Sequence, residues 1–252
     1  DHSPSSIRQL YGKAGWQDAT ADVDVSLALA DNSLQGTPAL PPSMLGNPRT
    51  AYTWPDRTEN TMQFLTARAS RYIGERVLLA GLAYYRGLDQ HNASSNVNDD
   101  HDPALPAGAG NPQGFNDKLA LRQRMAGASV QLTLDRDLAR WRNQFTIGAS
   151  FDAAESDFAQ DRQEALFSAD REAVGFGGFA PLTRLRASNR YLGLFFSEHF
   201  MPSEKWTLAL FGRYNVAKLT LADRSGVQPA LNGEHTFKRF NPGAGVAYNP
   251  NA

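Results

Sequence analysis

Cysteine is missing from the sequence, and long apolar runs are missing with it. The absence of cysteine in 252 residues excludes a disulfide framework and a thiolate metal site. No run approaches the roughly 18 apolar residues of a membrane-spanning helix, so any passage through a membrane would have to use strands. An excess of one charge is lacking too, because 25 Lys and Arg stand against 26 Asp and Glu. This balance disfavours nucleic acid as a partner.

Catalytic motifs are equally scarce. The sequence contains no Gly-x-Ser-x-Gly elbow, no His-Glu-x-x-His helix and no phosphate loop. Glu155 and Asp157 have the same-face spacing of an acid/base pair, but a location in a solvated lumen or at the base of a loop explains them better. Residues 96–102 gather oxygen atoms that can hold calcium, yet they lack the glycine and downstream glutamate of an EF-hand loop. The sequence therefore predicts no enzyme, no catalytic residue, no metal site and no cofactor.

Alternation of apolar and polar residues is the strongest pattern that is present. Phe145, Ile147, Ala149 and Phe151 alternate with polar or small residues, as in a strand with one apolar and one polar face. The same pattern predicts about nine strands, near 6–16, 20–33, 58–73, 76–92, 118–134, 141–159, 187–200, 206–222 and 236–248. Many of these strands are longer than the five or six residues usual in globular proteins, and about ten residues are needed to cross a membrane obliquely.

The connections between these strands alternate in length, which predicts a sheet with two different ends. The short ones lie at 17–19, 74–75, 135–140 and 201–205, and the long ones at about 34–57, 93–117, 160–186 and 223–235. Outer-membrane barrels have tight periplasmic turns and long extracellular loops. We therefore expect an all-β fold, an antiparallel transmembrane β-barrel in the bacterial outer membrane, surrounded by outer-membrane lipid.

Aromatic residues are expected to form belts at the two membrane interfaces. One set, beside the short turns, comprises Trp16, Tyr72, Trp141, Phe200, Trp206 and Tyr248. A second set, nearer the long loops, comprises Tyr84, Tyr85, Phe158, Tyr191, Tyr214 and Phe237.

Three stretches resemble TonB-dependent outer-membrane receptors. Residues 34–36 with 52–60 resemble the first long barrel loop, and 81–86 resemble the strand that follows it. Residues 231–248 are similar to the strand that carries the Phe-Asn-Pro pattern, here Phe240-Asn241-Pro242.

This resemblance implies a barrel of about 22 strands, of which residues 1–252 would be the N-terminal part. It also implies an N-terminal plug, coupling to the TonB complex through that plug, and import of a ferric siderophore or similar iron complex. No plug and no secretory leader is visible, so we expect the sequence to be an excerpt that also lacks the C-terminal strands.

Ligand capture is the chemistry most worth seeking in such a protein. Ferric siderophores are often anionic and rich in aromatic or carbonyl groups, so arginines and aromatic side chains suit them. The candidates are Tyr52, Trp54, Arg57, Arg86, His91, Arg184, Arg186 and Arg213.

Three other functions fit parts of the same pattern. A passive porin-like channel would have the same architecture with an open lumen. An outer-membrane barrel hydrolase is weakened by the missing motifs, and a secreted soluble β-protein with large loops is the remaining alternative.

Overall fold

The protein is an antiparallel sheet of long strands. The computed structural model describes residues 4–36, 38–47 and 50–250. The strands are β1 (Ser5–Gln17), β2 (Ala21–Gln35), β3 (Arg57–Ile73), β4 (Val77–Val97), β5 (Gly114–Leu138), β6 (Trp141–Phe167), β7 (Ala173–Gly175), β8 (Ala180–Ser203), β9 (Trp206–Asp223) and β10 (Gly233–Tyr248). Two short 3-10 turns lie at Pro42–Met44 and Pro229–Leu231. In the described ranges, no helix has both the length and the apolar composition needed to cross a membrane.

The nine predicted strands are confirmed, although several are longer than expected. β6 runs 27 residues to Phe167, beyond the predicted end at residue 159, because its outer part continues to pair after the apolar alternation stops. The short β7, which pairs with the end of β6, was not predicted. Its 3 residues are too few to show a period.

Every long strand pairs with its neighbours in the chain. The order is β1-β2-β3-β4-β5-β6-β8-β9-β10, with β7 beside β6. Within the described residues, β1 and β10 are the two edges, so the sheet does not close on itself. The edge strand β1 is exposed along all 13 residues.

The two faces of the sheet are the reverse of those in a soluble protein. Val23, Val25 and Leu27 are 36–41 % exposed, whereas the alternating residues Asp22 and Asp24 are half-buried. We call the face that carries Leu27 the apolar face, and the face that carries Asp24 the polar face; the register extends both faces across all nine long strands.

A buried apolar core is almost absent from the part of the chain that the structure describes. Its buried apolar residues are four alanines: Ala51, Ala154, Ala165 and Ala173. The accessible surface is 16147 Å², whereas a soluble monomer of this mass exposes about 11,000 Å². The sheet is open and exposes both of its faces, and the many exposed large apolar side chains are typical of the lipid-facing side of a transmembrane barrel.

Glycines on the polar face allow large side chains to lie flat against the wall. A Cβ added to Gly148 would meet the ring of Phe195 and, at 2.7 Å, the carbonyl oxygen of Val130. A Cβ added to Gly193 would meet the guanidinium of Arg213. In transmembrane β-barrels the polar face lines the interior and the apolar face points outward, so we refer to the polar face as the inner wall and to the apolar face as the outer wall.

The predicted difference between the two ends of the sheet is confirmed. The strands are joined at one end by residues 18–20, 74–76, 139–140 and 204–205, and at the other by 36–56, 98–113, 168–179 (which contain β7) and 224–232. In the first short turn, the Asp18 carboxylate accepts hydrogen bonds from the backbone of Thr20 and Ala21, which lowers the pKa of Asp18.

The aromatic belt beside the short turns is present on the apolar face. Trp141 packs edge-on against Phe200 with ring centroids 5.2 Å apart, and Trp206 packs on Tyr248 at 4.5 Å. Trp16 lies on the same face, whereas the register places Tyr72 on the polar face.

The expected second belt is mostly wrong. Only Tyr85 and Tyr214 lie on the apolar face; the register places Tyr84, Phe158, Tyr191 and Phe237 on the polar face. The prediction considered only how near each aromatic residue lies to a long loop, and it did not consider which face of the sheet the residue occupies. The end of the apolar face nearest the long loops is marked by charge instead, because on each of seven strands this face changes there to a charged residue. These residues are Asp31, Asp89, Arg124, Glu155, Arg190, Lys218 and Lys238.

Below this boundary, the apolar face has the height of a membrane. On β6 the apolar positions run from Phe145 to Ala153 and are followed by Glu155. This stretch corresponds to the roughly 9–11 residues with which a tilted strand crosses a bilayer.

Candidate functional site

The centre of the polar face carries a hydrogen-bonded arginine. Arg86 on β4 donates a hydrogen bond of 2.5 Å from its guanidinium to Gln123 Oε1 on β5. Gln123 in turn donates to the Ser156 hydroxyl on β6 at 3.2 Å. The Nε of Arg86 is buried and has no hydrogen-bond partner. One side of this guanidinium is therefore fixed, while a further donor remains unused.

Aromatic rings lie beside Arg86 on the same face. The ring centroid of Phe64 is 6.2 Å from that of Tyr84, in an edge-on arrangement. Tyr84 donates a 2.5 Å hydrogen bond across β5 to Asp152, over the space that the absent side chain of Gly127 leaves. Tyr191 follows directly opposite Asp152 on β8. The face thus offers a cation, flat rings and a carboxylate within a few strands.

A second arginine lies on this face nearer the short turns. Arg213 on β9 donates to the Ser150 hydroxyl at 2.9 Å and to Asn215 Oδ1 at 2.7 Å. Its guanidinium is 5.6 Å from the centre of the Phe195 ring. Arg239 on β10 is directly opposite Asn215 and has no hydrogen bond or ion pair with the described residues. These contacts hold Arg213 against the wall and leave Arg239 available.

Four other predicted ligand residues lie on the opposite side of the sheet. Arg57, His91, Arg184 and Arg186 share the apolar face, at the end with the long loops, beyond the charged boundary. Arg57 pairs with Glu59 at 2.5 Å, Arg184 pairs with Asp161, and Arg186 pairs with Glu155 at 2.9 Å. The structure therefore does not bring them together with Arg86 and Arg213.

The Glu155 and Asp157 pair is also explained by this outer surface. Both carboxylates face Arg186, at 2.9 Å and 3.9 Å. They form an ion-pair cluster on the outer wall.

Tyr52 and Trp54 fasten one long loop to another. Trp54 Nε1 donates to the carbonyl oxygen of Asp170 at 3.1 Å, and Arg171 donates to the carbonyl oxygen of Tyr52 at 2.5 Å. The guanidinium of Arg171 lies 4.9 Å from the rings of both Tyr52 and Phe167. We call this contact between residues 51–55 and 167–173 the loop clasp.

The loop clasp contains three buried residues, Ala51, Thr53 and Ala173. Thr53 is 1 % exposed and donates a 2.8 Å hydrogen bond to the carbonyl oxygen of Ser95. The role of Tyr52 and Trp54 that the structure supports is therefore to order the loops.

The acidic loop after β4 is held by an asparagine. Asn111 accepts a hydrogen bond from the backbone of Asp102 at 3.0 Å and donates to the carbonyl oxygens of Asp102 and Leu105. In residues 4–36, 38–47 and 50–250, no group of three or more His, Asp or Glu side chains is placed to hold a metal ion. The Asn111 contacts explain the order of this loop without a bound ion.

Sequence reasoning missed most of the polar-face residues. Phe64, Tyr84, Gln123, Asp152 and Arg239 were not among the candidates, because that choice favoured loops and strand ends. Counting alternate positions from Arg86 along β4 would have found Tyr84. The other four lie on other strands, and their face follows from the cross-strand register.

Comparisons with solved structures identify the fold. The ferric citrate transporter FecA aligns with 99% of this chain and 34% of its own, with a TM-score of 0.77 and 10% identity. The siderophore receptor PiuA from Acinetobacter baumannii aligns with 99% of this chain and 41% of its own, with a TM-score of 0.70 and 12% identity. The copper transporter OprC aligns with 98% of this chain and 35% of its own, with a TM-score of 0.59 and 12% identity.

The chain thus spans only 34% to 41% of the length of these proteins. No family model and no curated protein matches its sequence. It has the fold of part of the barrel of TonB-dependent siderophore receptors, with the sheet open at both edges.

Proposed function

We propose that the chain is the N-terminal part of the barrel of a TonB-dependent outer-membrane transporter that imports a ferric siderophore or a similar iron complex. The observation that carries the proposal is the combination of this barrel fold with a polar face bearing Arg86, Arg213 and Arg239. Anionic chelates with planar groups suit such a wall, because arginine forms directed hydrogen bonds to oxygen atoms and stacks on flat rings.

The open edges support a larger barrel. Each unpaired backbone group in the hydrocarbon layer costs several kcal/mol. The exposed edges of β1 and β10 therefore call for further strands, which we assign to the rest of the same protein. Lipid of the outer membrane would cover the apolar face.

The inner wall supports a plugged lumen. Phe195 and Arg213 lie flat over Gly148 and Gly193, so the wall leaves room for a folded domain inside the barrel. We assign that place to a plug, through which the protein would contact the TonB complex.

The proposal is tested by uptake of iron-55 in cells that express the full-length gene and lack their own siderophore receptors. Ferric citrate and a ferric catecholate are supplied separately, in the presence and absence of a working TonB complex. We expect uptake of at least one chelate, and we expect it to stop without TonB. Uptake independent of TonB, together with ion conductance in planar bilayers, would instead indicate a passive porin-like channel.

The same cells can show whether the imported metal is iron or copper. OprC, one of the proteins with this fold, is named as a copper transporter, so copper is supplied in a parallel experiment. Accumulation of copper without accumulation of iron would reject the iron assignment and retain TonB-coupled import.

A further inference from the structure

Three cations lie together on the apolar face at the upper boundary of the apolar band. They are Arg190 on β8, Lys218 on β9 and Lys238 on β10, and we call them the cation triad. All three residues are exposed. They mark the level at which each of these strands changes from apolar to charged.

The register places the members of the cation triad next to one another. Arg190 is directly opposite Lys218, and Lys218 is one diagonal position from Lys238, because Lys218 pairs with Thr236. Side chains at directly opposite positions have Cβ atoms about 4.5–5.5 Å apart, and like charges there repel one another.

The charges of the cation triad are mostly not neutralised within the chain. Lys218 contacts Glu234 at 2.8 Å, and both side chains are about half exposed. Arg190 has no hydrogen bond or ion pair with any described residue, although both strands beside it, β6 and β9, are present. Lys238 also has none, and it lies on the edge strand β10, which has a described neighbour on one side only. Glu155 lies one diagonal position from Arg190 but pairs with Arg186, so Glu234 is the one described carboxylate that forms an ion pair with the triad.

Other outward cations at the same height have partners. Arg122 and Arg124 on β5 share the carboxylate of Asp89, at 3.0 Å and 2.7 Å. At these two positions the outward cations contact a carboxylate, as Arg190 and Lys238 do not. The cation triad is the place where an anion from outside the chain would be most stabilising.

The surface below the cation triad is apolar. Leu192, Val216 and Phe240 occupy the next positions on the same face of the three strands, and Leu192 and Phe240 are 45% and 52% exposed. An anion bound by the triad would therefore lie directly above a surface that contacts acyl chains. Lipid headgroups carry phosphate at this depth, and each Lys or Arg near an anionic membrane surface strengthens the attraction.

We propose that the cation triad binds the phosphate of a phosphorylated lipid in the outer leaflet, with Leu192, Val216 and Phe240 against its acyl chains. The charges of the triad and the phosphate are complementary, and the boundary fixes the lipid as the source of the phosphate. The proposal depends on the placement of the barrel in the outer membrane and does not depend on iron import.

The test uses the full-length protein, purified in detergent and mixed with bisphosphorylated lipid A or with enzymatically dephosphorylated lipid A. Native mass spectrometry counts the lipid that each protein retains. We expect the parent protein to prefer the phosphorylated form, and the triple variant Arg190→Gln, Lys218→Gln, Lys238→Gln to bind it about 100-fold more weakly.

The matched control is the double variant Arg122→Gln, Arg124→Gln, which removes two outward cations of the same charged boundary that both contact the Asp89 carboxylate. We expect its affinity to fall less than threefold. Equal loss in both variants would overturn a specific site and leave only general charge attraction. Equal binding of phosphorylated and dephosphorylated lipid would also overturn the proposal, and neither result bears on iron uptake. A barrel that migrates faster before heating than after it in electrophoresis shows that each variant is folded.

Discussion

At the scale of single residues, the inner wall depends on positions where no side chain is present. Gly148 lies on the polar face between Val130 and Phe195. A methyl group there would approach the Val130 carbonyl oxygen to 2.7 Å and would displace the Phe195 ring. Since the carbonyl belongs to the paired backbone, it cannot move without disturbing the β5–β6 pairing.

We therefore expect Gly148→Ala to lower the free energy of unfolding of the full-length barrel by about 1–3 kcal/mol. Urea unfolding in detergent, followed by tryptophan fluorescence, measures this change. Gly81→Ala on β4 is the control, because its new Cβ would lie at 3.4 Å from the Ser129 carbonyl oxygen, an ordinary contact. Equal stability of the two variants would contradict the close approach at Gly148.

Two of the arginines on the polar face, Arg86 and Arg213, allow a prediction about ligand binding. Removing the charge of Arg86 or Arg213 with glutamine should weaken binding of an anionic ferric chelate about 10- to 150-fold, since a hydrogen bond to a charged group contributes roughly 1.5–3 kcal/mol. Titration of the purified full-length protein with the chelate that supports uptake gives the dissociation constants. Arg57→Gln and Arg186→Gln, on the other face, should leave them unchanged. A larger loss in the outer variants would place the site in the loops.

At the scale of elements, the loop clasp joins connections that are far apart in the sequence. Arg171 holds Tyr52 through its carbonyl oxygen and lies 4.9 Å from its ring. A cation beside a ring contributes about 0.5–2 kcal/mol, so Arg171→Ala should loosen the loop clasp without unfolding the barrel.

Spin labels at Gly46 and Ala169 measure this change, because the described chain has no competing cysteine. We expect a narrow distance distribution in the parent protein and a broad one in Arg171→Ala. The control Arg140→Ala removes a similar contact, a guanidinium 5.5 Å from the Trp141 ring, at the opposite end of the sheet. Broadening in this control as well would mean that the loops respond to general destabilisation.

The first short turn makes a prediction about pH. The Asp18 carboxylate accepts backbone hydrogen bonds from Thr20 and Ala21, which lower its pKa in the folded protein. The stabilisation is therefore complete above the unfolded pKa of 3.8 and is lost as the pH falls through the lower folded value. Carbon-13 NMR of the labelled Asp18 carboxyl should give a titration midpoint below 3.8; a midpoint at or above it would contradict these hydrogen bonds.

At the scale of the whole molecule, alternation and loop length predicted the sheet well, because both are local properties of the sequence. The strand from Phe145 to Ala153 could be predicted because its apolar side faces a uniform surrounding. Beyond Glu155 the apolar face carries charged residues such as Asp157 and Asp161, so the alternation stops and the predicted end of β6 falls short.

The candidate site could be predicted less well, for two physical reasons. Face assignment needs the cross-strand register: Arg213 and Arg186 look alike in the sequence, yet they lie on opposite faces. The loop clasp depends on contacts between residues more than 100 positions apart, such as Tyr52 and Arg171. Neither the cross-strand register nor a contact between distant residues produces a periodic pattern in the sequence.

The assignment of the two faces underlies every proposal made for this protein. Val130 lies on the apolar face and is 51% exposed, and its chain neighbour Gln131 lies on the polar face. Single cysteines at these two positions of the full-length protein, carrying a fluorescent label in lipid vesicles, compare the surroundings directly. We expect a lipid-borne quencher to reduce the emission of the label at position 130, and a water-soluble quencher to act more strongly at position 131. Equal quenching at the two positions, or the reverse pattern, would contradict a barrel with lipid outside and a polar lumen inside.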